Sequence, residues 1–84
     1  MDAKIYVANL PFHTTEQEIL ELFRQEGNVS HCRVPVDRFT NRSRGCAFVE
    51  MPSRAEADHA IATLNGTELD GRVLRVGALG TAES

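Results

Sequence analysis

Two short runs decide the fold of this chain: Arg-Gly-Cys-Ala-Phe-Val-Glu-Met at residues 44–51 and Ile-Tyr-Val-Ala-Asn-Leu at residues 5–10. Strict alternation of side chains along each run predicts two half-buried β-strands. One side of the first strand is predicted to carry Arg44, Cys46, Phe48 and Glu50, and the matching side of the second carries Lys4, Tyr6 and Ala8. Each strand therefore turns one aromatic ring away from the core.

The rest of the chain predicts the order strand, helix, strand, strand, helix, strand. The other two strands are expected at residues 29–36 and 72–76, and Pro35 predicts that the former is an edge strand or carries a bulge. The helices are expected to begin at Thr15 and Ser53, each with a glutamate three residues later as in a capping box. This order is typical of an α+β, ferredoxin-like βαββαβ sandwich, in which two helices cover one face of a four-stranded antiparallel sheet.

The opposite face of such a sheet stays open, and its predicted residues are suited to nucleic acid. Tyr6 and Phe48 offer flat rings on which bases can stack, and Arg33, Arg44 and Arg75 offer cations for phosphates. The alternative to a binding role is that the two rings form an ordinary cross-strand pair that stabilises the sheet, surrounded by solvated charges. Two rings on an uncovered face favour the binding hypothesis.

The two runs resemble the paired signature segments of the RNA recognition motif family, and the resemblance extends over essentially the whole chain. It implies that Tyr6 and Phe48 stack bases and that Arg44 meets phosphate. Cys46 stands where the family usually has a third aromatic residue. Residues 1–84 are expected to form a single RNA recognition motif domain, ordered over about residues 3–79, with a frayed tail from Gly80 to Ser84.

The predicted RNA-binding residues lie on the open face or in the arginine-bearing loop at residues 37–43. They are Tyr6, Phe48, Arg44, Cys46, Lys4, Arg33, Arg42, Arg75 and Glu50. Glu50 is expected either to repel phosphate or to accept a hydrogen bond from a base edge. Phe39, within the loop, is expected to pack on the loop base, with stacking on a nucleobase as the less favoured alternative.

Charge is unevenly distributed in this 84-residue chain of net charge −3. Acidic residues collect on the first predicted helix at Glu16, Glu18 and Glu21, and basic residues collect between residues 33 and 44.

Stacking of a nucleobase contributes about 1–3 kcal/mol per ring, whereas micromolar affinity requires about 8 kcal/mol. Two rings and a few arginines therefore predict modest affinity for single-stranded RNA, with single-stranded DNA as a further candidate ligand.

Composition excludes several other classes. No apolar run approaches a membrane span, and the N-terminus does not resemble a signal peptide. Cys32 and Cys46 are predicted on opposite faces and cannot bridge, no metal-ligand spacing is present, and no cofactor is expected. We expect a monomeric, intracellular, non-enzymatic protein, cytoplasmic or nuclear if eukaryotic.

One alternative function uses the same fold differently. Domains that resemble this family also bind peptides, often on the helical side. The acidic first helix predicts a basic protein partner in that case. Retention of two outward aromatic rings favours RNA.

Overall fold

The computed structural model describes residues 2–42 and 44–79. The predicted frayed tail from Gly80 to Ser84 lies outside the described residues. In chain order the elements are β1 (Ala3–Ala8), α1 (Glu16–Arg24), β2 (His31–Arg33), β3 (Cys46–Met51), α2 (Arg54–Leu64), β4 (Glu68–Leu69), β5 (Arg72–Val73) and β6 (Arg75–Ala78). No helix among the described residues is long and apolar enough to cross a bilayer.

Four of the strands form one antiparallel sheet in the order β2-β3-β1-β6, while β4 and β5 form a separate small hairpin. The predicted ferredoxin-like fold is therefore confirmed. The signature strands β1 and β3 are the two central ones, and β2 is an edge strand as Pro35 predicted. This order places both outward rings in the middle of the sheet.

The core lies between the sheet and the two helices. Strand residues that point inward, such as Ile5 and Val49, are fully buried and belong to one apolar cluster with residues of both helices. Ala57 and Ala60 on α2 are small enough to let that helix lie close to the strands. Both helices thus pack on the same face of the sheet.

Side-chain caps fix where each helix begins. Thr15 accepts a hydrogen bond from the Glu18 backbone N–H, and the Glu18 carboxylate accepts one from the Thr15 N–H at 2.8 Å, which completes the predicted capping box. The Ser53 hydroxyl caps α2 by accepting from the Glu56 backbone N–H, and it donates to the Glu56 carboxylate at 2.9 Å. These contacts satisfy backbone donors that a helix N-terminus leaves unpaired.

The second strand is shorter than predicted. The predicted range 29–36 is too long, because the strand comprises only His31–Arg33, followed by an isolated bridge at Val36. Pro35 has no N–H to donate, although its carbonyl accepts from the Arg44 N–H at 3.2 Å. The chain therefore stays beside β3 without a continuous ladder.

The predicted fourth strand at residues 72–76 was also wrong in its bounds. The segment divides at Leu74, whose N–H donates to Thr67 and whose carbonyl accepts from Gly66. Residues before this point pair with β4 across the Asp70-Gly71 turn, in which both residues have positive φ. Residues after it form β6, which pairs with β1.

Candidate nucleic-acid interface

The outward face of the sheet is organised in three cross-strand rows. The strand pairings align His31, Glu50 and Lys4 in the first row, Arg33, Phe48, Tyr6 and Gly77 in the second, and Cys46, Ala8 and Arg75 in the third. No helix of the described chain covers these rows, because α1 and α2 pack on the other face.

The two predicted stacking residues form the centre of the middle row. Tyr6 and Phe48 are directly opposite each other on β1 and β3, with ring centroids 5.6 Å apart and planes inclined by 50°. Tyr6 is 38% exposed and Phe48 is half-buried. Because the strands hold the rings from below, their outer surfaces remain available to a flat ligand.

Strand pairing brings three predicted basic residues to this face. Arg33 is the neighbour of Phe48 on β2, Lys4 is the neighbour of Glu50 on β1, and Arg75 is the neighbour of Ala8 on β6. Arg33, Lys4 and Arg75 are all exposed. The face therefore has cations on both sides of the aromatic pair.

Arg42 lies in the loop where it was predicted, whereas Arg44 was predicted on the outward side of the third strand and lies outside it. Arg44 lies just before β3 and Arg42 lies in the β2–β3 loop, and both are exposed. Their guanidinium groups make no ion pair within the part of the chain that the structure describes. They form a basic margin beside the sheet rather than part of its rows.

The third row lacks a large side chain at its centre. Cys46 and Ala8 are register partners, and both are only half-buried. The other cysteine, Cys32, lies on the inner side of the sheet, where burial, with a further contribution from the charge of Glu16, raises the pKa of its thiol to about 11. Cys46 lies on the opposite, open face. The position that usually carries a third ring is therefore a shallow gap beside the aromatic pair.

Glu50 lies at the edge of a depression of about 220 Å³ next to the Phe48 ring. Lys4, His31, Arg33 and Leu79 also line it. Lys4 and Glu50 are register partners, but no ion pair joins them. The carboxylate is thus an acceptor without a cationic side-chain partner, bordering a space next to a stacking ring.

Besides the small Ala8, two residues of the face were not among the predicted site residues. His31 has the same strand parity as Arg33, so alternation along β2 would have identified it. Gly77 is the neighbour of Tyr6 on β6, and a Cβ added there would meet nothing within 4 Å. No sequence signal indicated that Gly77 lies beside Tyr6, because that position depends on the register between β1 and β6.

The β2–β3 loop has a defined conformation. The Asp37 carboxylate accepts hydrogen bonds from the N–H groups of Phe39 at 2.7 Å and Thr40 at 3.1 Å. These bonds, with the Phe39 contact first, hold the pKa of Asp37 below its ordinary value. The Asp37 backbone also bonds to Asn41 and Arg42, both at 2.8 Å, so the turn is closed at its base.

The expected packing of Phe39 on the loop base is wrong. Its side chain is 94% exposed at the tip of the loop. The reason is local: the Asp37 side chain turns the backbone within three residues, and this turn directs Phe39 away from the protein.

A polar network connects the end of β1 to the β4–β5 hairpin. Asn9, in the left-handed region at φ 65°, donates to the Val73 carbonyl at 2.7 Å and accepts from Arg72 at 2.8 Å. The Arg72 guanidinium also lies 5.9 Å from the centroid of the Phe12 ring. The network fixes the margin of the open face on the side opposite to β2.

Comparison with known families agrees with this architecture. A family model described as the RNA recognition motif matches residues 5–75, which is most of the chain. This chain belongs to the RNA recognition motif family. The matched range of the motif begins at Ile5 on β1 and ends at Arg75 on β6, so it includes both aromatic strands.

Individual relatives point the same way. This RNA recognition motif is 49% identical over 75 residues to the chloroplastic 29 kDa ribonucleoprotein A of Nicotiana sylvestris. The matched segment covers 89% of this chain and only 28% of the ribonucleoprotein. The motif therefore spans about a quarter of that relative's length. The relative is chloroplastic by name, and a cytoplasmic location for this chain stays a prediction.

Solved structures share the fold closely. A crystal structure of the RNA-binding protein PG1 has a TM-score of 0.85 and 42% identity, with 90% of this chain and 92% of that chain covered. The Rna15 RNA recognition motif, solved with the RNA GU bound, has a TM-score of 0.83 and 34% identity, with 88% and 79% covered. The motif is thus similar in backbone to a domain that was solved with a short RNA.

Proposed function

We propose that this chain is a single-stranded RNA-binding module in which two bases stack on Tyr6 and Phe48. The observation that carries the proposal is the position of these rings, paired across the two central strands on a face without a helix. Aromatic rings accept any base face, so they supply affinity with little sequence preference.

Phosphates of the bound strand would be neutralised by cations around the rings. Arg33 lies beside Phe48, Arg75 lies on the β6 side of the face, and Arg44 lies at the entrance to β3. Lys4 and Arg42 extend this positive margin at opposite ends of the face. The chain is acidic overall, so local placement of these groups is what would attract RNA.

Glu50 would act as a base-edge acceptor. Its carboxylate borders the depression next to Phe48 and has no ion-pair partner among residues 2–42 and 44–79. A carboxylate can accept hydrogen bonds only from donor groups of a base, such as exocyclic amines. Unstacked single strands expose these edges, whereas duplex RNA hides them in its deep major groove.

The relatives support the same ligand class. The Rna15 motif was solved with GU bound, and the tobacco relative is a ribonucleoprotein by name. We propose that the chain binds as a monomer and prefers RNA to DNA. Titration with RNA and DNA strands of the same sequence, followed by sedimentation in an analytical ultracentrifuge, measures both the preference for RNA and the number of protein copies in the complex.

The decisive test replaces both rings with alanine and measures affinity for a pool of short single-stranded RNAs. Loss of each stacking ring weakens the free energy of binding by about 1–3 kcal/mol. The double variant Tyr6→Ala, Phe48→Ala should therefore show no measurable binding at micromolar protein concentration. His59→Ala is the matched control, because it removes an exposed ring from α2 on the helical side of the sheet. Unchanged affinity of a folded double variant would refute the proposed function.

The second candidate, a peptide-binding module on the acidic helix, has weaker support. The Glu18 carboxylate is engaged in the capping box, and Glu21 accepts from Gln17 at 2.9 Å. Two of the three acidic groups on α1 therefore already have partners in the chain. A basic peptide that perturbs amides of α1 but not of β1 or β3 would favour this candidate.

A further inference from the structure

Phe39 is exposed in a way that the fold does not require. Its ring is 94% exposed, the highest value among the large apolar residues of the described chain. An isolated exposed apolar side chain is common on protein surfaces. Phe39 differs because its position is specified by a closed and hydrogen-bonded turn.

The turn presents the ring rather than leaving it loose. Both N–H groups after Asp37 are bound by its carboxylate, and the turn is closed by the Asp37–Arg42 backbone bond. Asn41 adopts a left-handed φ of 60°, which asparagine tolerates better than most residues. A ring carried by an ordered backbone loses less backbone entropy on binding than a ring on a disordered segment.

The charges around Phe39 select the kind of ligand. Arg38 precedes it, and Arg42 and Arg44 follow on the returning side of the loop; all three are exposed. No described acidic side chain lies within ion-pair distance of these guanidinium groups. Asp37 is the nearby acid, and its carboxylate is occupied by backbone N–H groups. Arg44 also interacts electrostatically with the Asp37 carboxylate. An aromatic ring among exposed arginines matches a nucleotide, with its flat base and its phosphate.

We propose that Phe39 is a third base-stacking platform, separate from the sheet face, which binds a nucleotide further along the same RNA strand. The inference rests on the proposed function and extends it. Phe39 lies in a loop that the Asp37–Arg42 and Pro35–Arg44 backbone bonds close at its base, before the start of the strand that carries Phe48. A dinucleotide on Tyr6 and Phe48 therefore does not reach Phe39, whereas a longer strand does.

The experiment compares two ligands and three substitutions at position 39. NMR titration measures affinity for a dinucleotide and for a single-stranded RNA of about ten nucleotides, a length within the range of known single-strand sites. Phe39→Ala should leave dinucleotide affinity unchanged and weaken the longer RNA about fivefold or more. Phe39→Tyr should retain wild-type affinity, whereas Phe39→Leu, which is apolar without a ring face, should behave like Phe39→Ala.

The outcomes separate this inference from the proposed function. If Phe39→Ala or Phe39→Leu binds the longer RNA as tightly as wild type, the third platform is refuted while the sheet-face site can still stand. If Phe39→Ala weakens the dinucleotide equally, the loop does not act as a separate site and the inference also fails. The sheet-face site is judged only by the Tyr6→Ala, Phe48→Ala double variant.

Discussion

The two faces of one sheet have opposite roles, although their residues alternate along the same strands. On β1, Ile5 is fully buried under the helices, and its neighbour Tyr6 is 38% exposed on the other side. On β3, the same contrast separates Val49 from Phe48. Residues adjacent in sequence thus contribute to different properties, the inner ones to stability and the outer ones to binding.

The difference between the faces follows from the number of helices. A four-stranded sheet with two helices has only one face covered, and the described residues place both helices on that face. The covered face can be purely apolar, whereas the open face must remain compatible with water. Aromatic rings satisfy both demands, since their edges pack against neighbours and their flat surfaces remain available.

The largest expected effect separates the faces with adjacent substitutions. Ile5→Ala should lower the free energy of unfolding by about 2–5 kcal/mol, because it leaves a cavity in the core. Tyr6→Ala should lower it by less than about 1 kcal/mol, the scale of a cross-strand pair. Urea denaturation measures both values, and RNA affinity at a temperature where both variants are folded should fall only for Tyr6→Ala.

Equal destabilisation by Ile5→Ala and Tyr6→Ala would contradict the assignment of stability to the inner face. A loss of RNA affinity in folded Ile5→Ala as great as in Tyr6→Ala would contradict the assignment of binding to the outer face. Val49→Ala and Phe48→Ala provide the same comparison on β3.

The next effect concerns the gap in the third row. Cys46→Phe restores a ring beside small Ala8, and this ring should strengthen RNA binding by about 1–3 kcal/mol. Cys46→Leu, which adds apolar bulk without a ring face, should give little gain. Isothermal titration against one RNA compares the three proteins. Equal affinity of the phenylalanine and leucine variants would show that stacking at this position contributes nothing.

The smallest expected effect lies on the helical side and depends on pH. The Asn28 N–H donates to the Glu56 carboxylate at 2.9 Å, and this bond is the main cause of a pKa held below its ordinary value. The Ser53 hydroxyl donates to the same carboxylate at 2.9 Å. Stabilisation by Glu56 is therefore fully present above the ordinary glutamate pKa and is lost as pH falls through the lowered folded value.

Thermal unfolding of Glu56→Gln measures this dependence. The variant should melt below the wild type at neutral pH, and the difference should disappear in acid, while RNA affinity stays unchanged. A difference that persists after the carboxylate is protonated would mean that packing, and not charge, explains the effect of Glu56.

Much of this arrangement could be predicted from the sequence, because local patterns determine it. Alternation identified β1 and β3 and assigned Tyr6 and Phe48 to one side, and cap residues located both helix starts. Pro35 indicated the edge strand. The count of two helices for four strands predicted the open face. The resemblance to the family implied the ligand class, and the family match confirmed the resemblance.

The errors occurred where individual hydrogen bonds, rather than side-chain periodicity, decide the backbone. Leu74 divides the predicted last strand because its backbone bonds to residues 66 and 67, which no periodicity reveals. The exposure of Phe39 depends on a side-chain carboxylate that captures two N–H groups. Register between strands, which makes Gly77 a neighbour of Tyr6 and His31 a neighbour of Glu50, is also invisible to alternation alone.

The most direct test of the central claim is an NMR titration of the ¹⁵N-labelled protein with a short single-stranded RNA. The account predicts that the largest chemical-shift changes occur on β1 and β3, centred on Tyr6 and Phe48. Changes concentrated on α1 and α2, with the two aromatic strands unaffected, would contradict it.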